Sequence, residues 1–261
     1  MVAANSRGIL PAMETRALLD SLARLPRAAL AFSGGVDSSL VAALAQQALG
    51  GRFTAVTVRS AFVAARDLDL ARAKAQALGL DHRVLDLDVW AVDGLAANGA
   101  DRCYRCKRAV LGLVARAFPD AVLLEGTNAD DDPARPGRRA VAEFGARSPL
   151  AEAGLAKADV RRLSRGLGLP GADEPSNSCL ATRIPQDVPL TAASLARVEA
   201  LEDFLRDLGF TNLRCRDLGA SLRLELPGPQ LEAARGRHSD ILARAKAAGF
   251  SDLTLGERPQ P

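Results

Sequence analysis

The sequence has no long hydrophobic run and few aromatic residues. None of its apolar stretches approaches the ~18 residues of a membrane-spanning helix, and its start, MVAANSRGIL, lacks the pattern of a signal peptide. Aromatic residues make up 4% of the chain, which disfavours successive base stacking on aromatic side chains. We therefore expect a cytoplasmic protein with neither a membrane nor a nucleic acid among its partners.

Histidine, lysine, cysteine and net charge are also scarce. Two histidines, His82 and His238, are too few for a multi-histidine metal site, and the four lysines leave few candidates for Schiff-base chemistry. Four cysteines are too few for a disulfide scaffold in a chain of 261 residues. The net charge of +3 does not by itself require a nucleic-acid partner. Because the cysteines are so few, we expect any chemistry they carry out to be confined to one local site.

The chain does contain an alternation of short apolar runs with helical patterns. With 48% hydrophobic and 25% charged residues, it has the composition of a globular protein. The runs that predict strands lie at 28–32, 53–58, 82–87 and 121–125. The helical patterns lie at 14–24, 37–49, 67–78 and 104–117. This alternation predicts an α/β fold with a doubly wound parallel sheet.

The order of elements changes in the last third of the chain. A polar loop at 128–139, a helix at 156–166 and a Pro/Gly/Ser-rich segment at 169–189 come first. The patterns then predict helix, strand, strand, helix and strand, at 191–208, 213–217, 221–226, 228–248 and 252–255. We therefore expect two domains, 1–187 and a small α+β domain at 188–261.

The strongest motif is AFSGGVDSSLVAAL, which begins at residue 31. A strand runs into Gly34 and Gly35, a helix follows at once, and hydroxyl groups come from Ser33, Ser38 and Ser39. Glycines let backbone N–H groups approach a ligand, and a helix N-terminus favours an anion, so the motif predicts a phosphate cradle. The plain alternative is a glycine turn with a capping side chain. The lysine of a Walker loop is absent.

A second glycine motif is weaker. Gly166, Gly168 and Gly171 have the dinucleotide-binding spacing G-x-G-x-x-G, but they follow a helix instead of a strand. We interpret them as a helix end and a loop.

Three cysteines form the second candidate site. Cys103 and Cys106 have C-x-x-C spacing, and Cys179 lies in a polar loop near Arg183, whose charge would favour a thiolate. Three thiolates could hold a [4Fe-4S] cluster and leave one iron open, although unremarkable cysteines are the plain alternative. Cys215 lies in an apolar strand pattern and is expected in the core.

The motifs SGGVDSSL, DRCYRCK, EGTNADD, SPL and CLATRIP, in this order, resemble the LarE-type ATP-dependent sulfur transferases. These belong to the PP-loop ATP pyrophosphatase superfamily, with a HUP-like fold. The resemblance implies that Asp37 helps to hold Mg²⁺ and that ATP binds to a set of loop residues: Ser33, Gly34, Gly35, Val36, Asp37, Ser38, Ser39, Val58, Gly126, Thr127 and Asn128.

The resemblance also implies a reaction. Family members convert the carboxylates of pyridinium-3,5-biscarboxylic acid mononucleotide into thiocarboxylates during synthesis of the nickel-pincer nucleotide cofactor. In some the cysteine that matches Cys179 gives up its own sulfur, and in others three cysteines hold a [4Fe-4S] cluster that carries sulfide. Because Cys103, Cys106 and Cys179 are all present, we expect the cluster type, a sulfide donor and a homo-oligomer.

The substrate of that reaction carries a phosphate, for which Arg214 and Arg216 are the candidates. They lie on one strand face, which could equally be an ordinary solvated face. Family members use such an arginine pair as an anion site. Two acidic residues that could lie near the pair are Glu202 and Glu225.

Four other side chains have no motif around them that defines a role. Tyr104 could line the sulfur site, whereas Trp90, His82 and His238 are expected to be structural.

Three alternative functions stay open. They are a tRNA-thiolating PP-loop enzyme, an amide-forming relative such as NAD synthetase, and a nucleotide-binding redox sensor without turnover. The low charge and aromatic content disfavour the first, the cysteines the second, and ATP-to-AMP conversion would exclude the third.

Overall fold

The computed structural model describes residues 13–258, which form two compact units. Unit 1 contains Met1–Val58, Leu68–Leu85 and Val110–Glu174. Unit 2 contains Arg59–Asp67, Asp86–Ala109 and Pro175–Pro261. The chain therefore passes from one unit to the other several times. The predicted division into 1–187 and 188–261 stays a prediction about domains.

Unit 1 is built on a parallel four-stranded sheet in the order β3-β2-β1-β4. The strands are β1 Ala28–Ala31, β2 Phe53–Arg59, β3 His82–Asp86 and β4 Val122–Leu124. The helices are α1 Met13–Ala23, α2 Val36–Leu49, α3 Ala65–Ala77, α4 Arg102–Ala117, α5 Gly137–Glu143, α6 Pro149–Glu152 and α7 Lys157–Gly166. The last residues of β2 and β3 and the first turns of α3 and α4 belong to unit 2. The α/β class and the parallel sheet are confirmed.

Strand β1 lies at the centre of this sheet because its residues are apolar on both faces. Ala28, Ala29 and Leu30 are fully buried, as both faces of a parallel sheet require. The register pairs Ala28 with Phe53 on β2 and with Val122 on β4. The carboxyl ends of β1, β2 and β4 therefore share one edge, and the strand order reverses between β1 and β4, where open α/β sheets bind ligands.

Unit 2 has a smaller, mixed sheet in the order β5-β6-β7. Strands β5 and β6 are antiparallel, and β6 and β7 are parallel. Its remaining elements are α8 Ala192–Asp207, β5 Arg214–Leu218, β6 Ser221–Leu226, α9 Gly228–Gly236, α10 His238–Ala247 and β7 Asp252–Glu257. Leucine is the commonest residue in the core of this unit, which includes Cys215, fully buried as expected.

Some elements differ from the predictions. The helix expected at 228–248 is two helices, because the backbone leaves the helical conformation at Arg237, directly after the weak helix former Gly236. Helix α5 begins inside the loop expected at 128–139. Three 3₁₀ turns, Gly50–Arg52, Val89–Ala91 and Leu180–Arg183, are short elements without a periodic pattern. Within residues 13–258, none of the helices combines the length and apolar character needed to cross a membrane.

Candidate functional site

The loop between β1 and α2 forms a polar rim at the carboxyl edge of the unit 1 sheet. The Ser33 and Ser38 hydroxyl oxygens are 3.2 Å apart. The Ser38 hydroxyl donates to the Gly35 carbonyl at 3.1 Å, and the Gly35 N–H donates to Ser33 Oγ at 3.3 Å. The residue before α2 is Gly35, which has no side chain to accept hydrogen bonds from the first N–H groups of the helix. These groups and the helix dipole therefore make the start of α2 attractive to an anion. Val36 and Ser39 are buried beside them.

Close packing requires glycine at two positions, one in the motif after β1 and one directly after β4. Gly34 has φ +73°, and a Cβ there would lie 2.8 Å from the Ala71 Cα of α3. Gly126 follows β4, and a Cβ there would lie 3.1 Å from the Ser38 backbone nitrogen. We call residues 33–39 the phosphate loop, after the phosphate cradle predicted from the sequence. This loop is therefore held against α3 on one side and the end of β4 on the other.

Asp37 lies in the first turn of α2 and has two partners from other segments of unit 1. Its carboxylate accepts a hydrogen bond from Asn128 Nδ2 at 3.2 Å and forms an ion pair with Lys157. The motif predicted Asp37 and the resemblance added Asn128, but nothing in the sequence singled out Lys157, which is 120 residues from Asp37. A carboxylate, an amide and an ammonium group thus meet beside the phosphate loop.

A buried carboxylate fixes the segment after β4. Glu125 accepts hydrogen bonds from the Thr127 N–H at 3.1 Å, the Thr127 hydroxyl at 2.7 Å and the Ser148 hydroxyl. Thr127 and Asn128 are both buried. Gly126, Thr127 and Asn128 were predicted from the sequence, whereas Glu125 was not, although its position at the end of an apolar strand run was an available signal.

The end of β2 contributes a second pair of contacts. The Thr57 hydroxyl donates to the Phe32 carbonyl at 2.8 Å and lies 2.8 Å from His82 Nε2. Because Thr57 uses its proton on Phe32, His82 Nε2 is the donor to Thr57. Burial, and then the charge of Arg72, lower the pKa of His82. The sequence did not reveal this partner of His82. Val58, the residue after Thr57, is half-buried near the end of β2.

The three candidate thiols lie in unit 2. Cys103 is exposed and Cys106 half-buried near the start of α4, and Cys179 precedes the 3₁₀ turn Leu180–Arg183. Burial, and then the neighbouring Cys179 and Cys103, raise the pKa of Cys106 to about 12. Burial also raises the pKa of Cys179, against the charge of Arg102. Cys103 and Cys179 are thus close enough to Cys106 to raise its pKa.

Arg102 ties the two cysteine segments together. Its guanidinium donates to Asn98 Oδ1 at 2.5 Å and to the Ala181 carbonyl at 3.1 Å, and its second nitrogen lies 3.7 Å from Cys103 Sγ. Arg102 thus places a positive charge beside Cys103. Cysteine binds iron as thiolate, so three cysteines with a cation beside them have the right donor chemistry for a cluster. Nothing in the sequence distinguishes Arg102 from the many other arginines of the chain.

Arg183 holds the Cys179 loop in place, and its charge opposes the rise in the pKa of Cys179 that burial causes. It is 1% exposed and pairs with Glu202, also 1% exposed, through Nε–Oε1 at 2.8 Å and Nη2–Oε2 at 3.0 Å. Its Nη1 donates to the carbonyl oxygens of Ser178 at 2.6 Å and Cys179 at 3.3 Å. Burial opposes ionisation of Glu202, but its bonds to Arg183 outweigh that and lower its pKa. Glu202 also accepts from Arg206 and from the Cys215 N–H.

The outer face of the unit 2 sheet carries arginines. The β5 residues Arg214 and Arg216 lie on this face, and Arg223 lies opposite Arg216 on β6. Arg216 donates to Glu225 at 3.0 Å and to the Thr182 carbonyl at 2.5 Å. Among the described residues Arg214 Nε has no hydrogen-bond partner. Burial, and then the charges of Arg258, Arg183 and Arg216, lower the pKa of Arg214 to about 10. On this face Glu225, which lies opposite Arg214, pairs with Arg216, and the arginines outnumber it.

Two further side chains singled out in the sequence are Trp90 and Tyr104. Trp90 packs edge-on against Phe62 with ring centroids 6.3 Å apart, and it is still 38% exposed. Tyr104 lies half-buried between Cys103 and Cys106 on α4. Over residues 13–258, no three His, Cys, Asp or Glu side chains are arranged to hold a single metal ion. The [4Fe-4S] cluster therefore stays a prediction.

Comparisons with known proteins agree with this arrangement. The asparagine synthase family model matches residues 17–96, which include β1, the phosphate loop and α2. The chain is 39% identical over 212 residues to an uncharacterized protein of Synechocystis, covering 80% of this chain and 79% of that one. It is 33% identical over 243 residues to the pyridinium-3,5-bisthiocarboxylic acid mononucleotide synthase of Lactiplantibacillus plantarum, covering 91% of this chain and 88% of that one.

Proposed function

The chain belongs to the LarE-type family of ATP-dependent sulfurtransferases in the PP-loop superfamily, and from this premise we propose the reaction it catalyses. The substrate is pyridinium-3,5-biscarboxylic acid mononucleotide, and the product is the corresponding thiocarboxylate, a precursor of the nickel-pincer nucleotide cofactor. The observation that carries this proposal is the phosphate loop with Asp37 in its first helical turn, in a chain matched over 91% of its length to a synthase of that product.

The reaction needs two displacements. A carboxylate is a poor electrophile, so one of its oxygens first attacks the α-phosphorus of ATP and pyrophosphate leaves. The acyl-adenylate then accepts a sulfur nucleophile at its carbonyl carbon, and AMP leaves with the electron pair of the broken C–O bond. The result is a thiocarboxylate, and one ATP is used for each sulfur inserted.

The phosphate loop supports the first displacement. Backbone N–H groups at the start of α2 and the hydroxyls of Ser33 and Ser38 would bind the departing pyrophosphate. Asp37 would hold Mg²⁺, which when bound neutralises charge that builds up on the phosphates. Asn128 and Lys157 already orient the Asp37 carboxylate. If Asp37 bound Mg²⁺, the Lys157 ammonium would be free to pair with a phosphate group instead. Gly126, Thr127 and Val58 would line the nucleoside side of the same edge.

The cysteine site supports the second displacement. Cys103, Cys106 and Cys179 would hold a [4Fe-4S] cluster, which when bound supplies an open iron for sulfide. Arg102 would keep the two cysteine segments together and offset the thiolate charges. Sacrifice of the sulfur of Cys179 is the competing source within the same proposal.

The arginine face of β5 supports binding of the substrate phosphate. Arg214 and Arg216 would form charge-assisted hydrogen bonds to it, since Arg214 Nε has no partner in the described chain. Glu225 would orient Arg216, while Glu202 and Arg183 would act on the Cys179 loop from within the core.

The decisive experiment combines iron analysis with turnover under anaerobic conditions. With ATP and the biscarboxylate mononucleotide, we expect AMP, pyrophosphate and thiocarboxylate, and about four irons per chain after reconstitution. Cys103→Ala should lose iron and sulfur transfer, whereas Cys215→Ala, in the core, should keep iron. Cys179 that has lost H₂S after turnover would exclude the cluster as the sulfur source. ATP binding without AMP formation would refute the enzymatic reaction altogether.

A further inference from the structure

A buried lysine of unit 1 contacts the phosphate loop from the side opposite its hydroxyl groups. Lys74 on α3 is 4% exposed, and its ammonium donates to the Gly34 carbonyl at 2.9 Å. A buried ammonium group needs a counter-charge, and here it forms an ion pair with Glu174. No step of the proposed reaction uses either residue.

The hydrogen bond from Lys74 fixes the direction of one peptide. In a planar trans peptide the C=O and N–H groups point in opposite directions. With the Gly34 oxygen held by Lys74, the Gly35 N–H must point to the other side, and there it meets Ser33 Oγ at 3.3 Å. This is the side on which the Ser33 and Ser38 hydroxyls lie.

Without that bond, the peptide would be free to turn over. It is flanked by Gly34 and Gly35, and glycine adopts positive and negative φ at similar cost. In the flipped peptide a carbonyl oxygen would replace an N–H group on the side of the bound phosphate. Loss of one hydrogen bond to a charged group costs about 1.5–3 kcal/mol, which corresponds to roughly 10- to 100-fold in affinity.

The segment after α7 is shaped around this ion pair. Gly171 has φ +79°, and a Cβ there would lie 2.7 Å from the Glu174 carboxyl carbon and would also clash with the Lys74 ammonium. Arg161 holds the same segment through the carbonyls of Ala172 at 2.9 Å and Glu174 at 3.0 Å. The third glycine of the apparent G-x-G-x-x-G motif thus makes room for Lys74 and Glu174.

We propose that Lys74, paired with Glu174, is a positioning residue that locks the Gly34–Gly35 peptide with its N–H toward the phosphates. This inference rests on the proposed phosphate-binding role of the loop. Lys74 acts through the backbone and does not touch the reacting atoms.

The test measures binding of magnesium pyrophosphate and, separately, of adenosine to the full chain. The variant is K74M/E174Q, which removes the ion pair without changing the net charge. We expect pyrophosphate affinity to fall about 10- to 100-fold, with adenosine affinity and the melting temperature close to those of the parent protein. A folded variant with unchanged pyrophosphate affinity would overturn the inference.

A glycine pair repeats the test without removing either charge. Gly171→Ala pushes on Lys74 and Glu174, whereas Gly168→Ala, at φ +65°, meets no atom within 4 Å. Both carry the strain of a positive φ, so a loss of pyrophosphate affinity in Gly171→Ala alone supports the lock. Equal affinities in the two variants would contradict it, even if K74M/E174Q fails to fold.

Ser38→Ala separates this inference from the proposed function. If Ser38→Ala weakens pyrophosphate binding and the Lys74 and Gly171 variants do not, only the lock is wrong. If Ser38→Ala has no effect either, the loop does not bind phosphates and both proposals are wrong.

Discussion

The Arg183–Glu202 ion pair is buried on both sides and fastens the loop that presents Cys179. Removing one partner of such a pair leaves an uncompensated charge in the core. We expect Arg183→Met to lower the free energy of unfolding by about 3 kcal/mol, because Arg206 still contacts Glu202. Urea denaturation followed by circular dichroism measures the change.

An exposed pair provides the control for this variant. Arg66 and Asp207 are 3.2 Å apart, with side chains 46% and 71% exposed. Arg66→Ala should change the free energy of unfolding by less than ~1 kcal/mol. Equal losses in the Arg183 and Arg66 variants would show that the buried pair does not stabilise the loop.

Glu202 also makes stability depend on pH. Its pKa in the folded protein is below the ordinary value of 4.5, so between these two values the unfolded chain binds more protons. The stabilisation is therefore complete above pH 4.5 and is lost as pH falls through the folded pKa. We expect the difference in unfolding free energy between the parent and Glu202→Gln to shrink below pH 4.5. A difference that stays constant from pH 7 to pH 3.5 would exclude this linkage.

Sequence alone identified those residues of the candidate site that lie in one contiguous motif. Ser33, Gly34 and Asp37 could be predicted because a strand, two glycines and a helix start follow one another directly. Lys74 and Lys157 could not, since they lie 40 and 120 residues from the groups they contact. Tertiary packing brings these two lysines to the loop, and a local sequence pattern does not predict such packing.

At the scale of the element, the strand–loop–helix formed by β1, the phosphate loop and α2 depends on the missing side chain of Gly34. We expect Gly34→Ala to destabilise the protein by about 1–3 kcal/mol more than Gly154→Ala. Both glycines have positive φ, but a Cβ at Gly154 meets nothing within 4 Å, whereas one at Gly34 meets the α3 backbone. Thermal and urea unfolding of the two variants would reveal the difference, and identical losses would argue against close packing of the loop on α3.

Element prediction succeeded where burial is continuous and failed where elements are short. The run at 53–58 predicted β2, because a strand buried on both faces is rich in apolar and β-branched residues. Helix α6, with four residues beginning at Pro149, has no periodicity to detect. Arg214 lies opposite Glu225 because of the register between β5 and β6. The sequence of neither strand alone specifies that register.

At the scale of the whole molecule, the two units have separate hydrophobic cores. A ligand bound by the phosphate loop should therefore protect unit 1 directly. We expect magnesium pyrophosphate to slow amide hydrogen exchange in β1 and α2 and to leave β6 unchanged. Exchange followed by mass spectrometry measures both in one sample. Equal slowing in β6 would mean that the ligand stabilises the molecule as a single cooperative unit.

The composition of each unit was beyond the reach of the sequence. Arg59–Asp67 and Asp86–Ala109 belong to unit 2 although they lie between strands and helices of unit 1. Phe62, Val89 and Leu95 from these segments join the unit 2 core. Local apolar patterns say that such residues are buried but not in which core. The homo-oligomer and the cytoplasmic location remain predictions, and light scattering tests the first.

The interleaved chain has a consequence for synthesis on the ribosome. All parts of unit 1 have been made once Glu174 emerges, whereas Phe62, Val89 and Leu95 must wait for core partners such as Leu222 and Leu224. From Leu95 to Leu222 the ribosome adds 127 residues, which takes roughly 6–25 s at ~5–20 residues per second, and during that time those apolar side chains have no native core to enter. The nascent chain is therefore expected to depend on chaperones during that interval, and the phosphate loop can form before the cysteine site does.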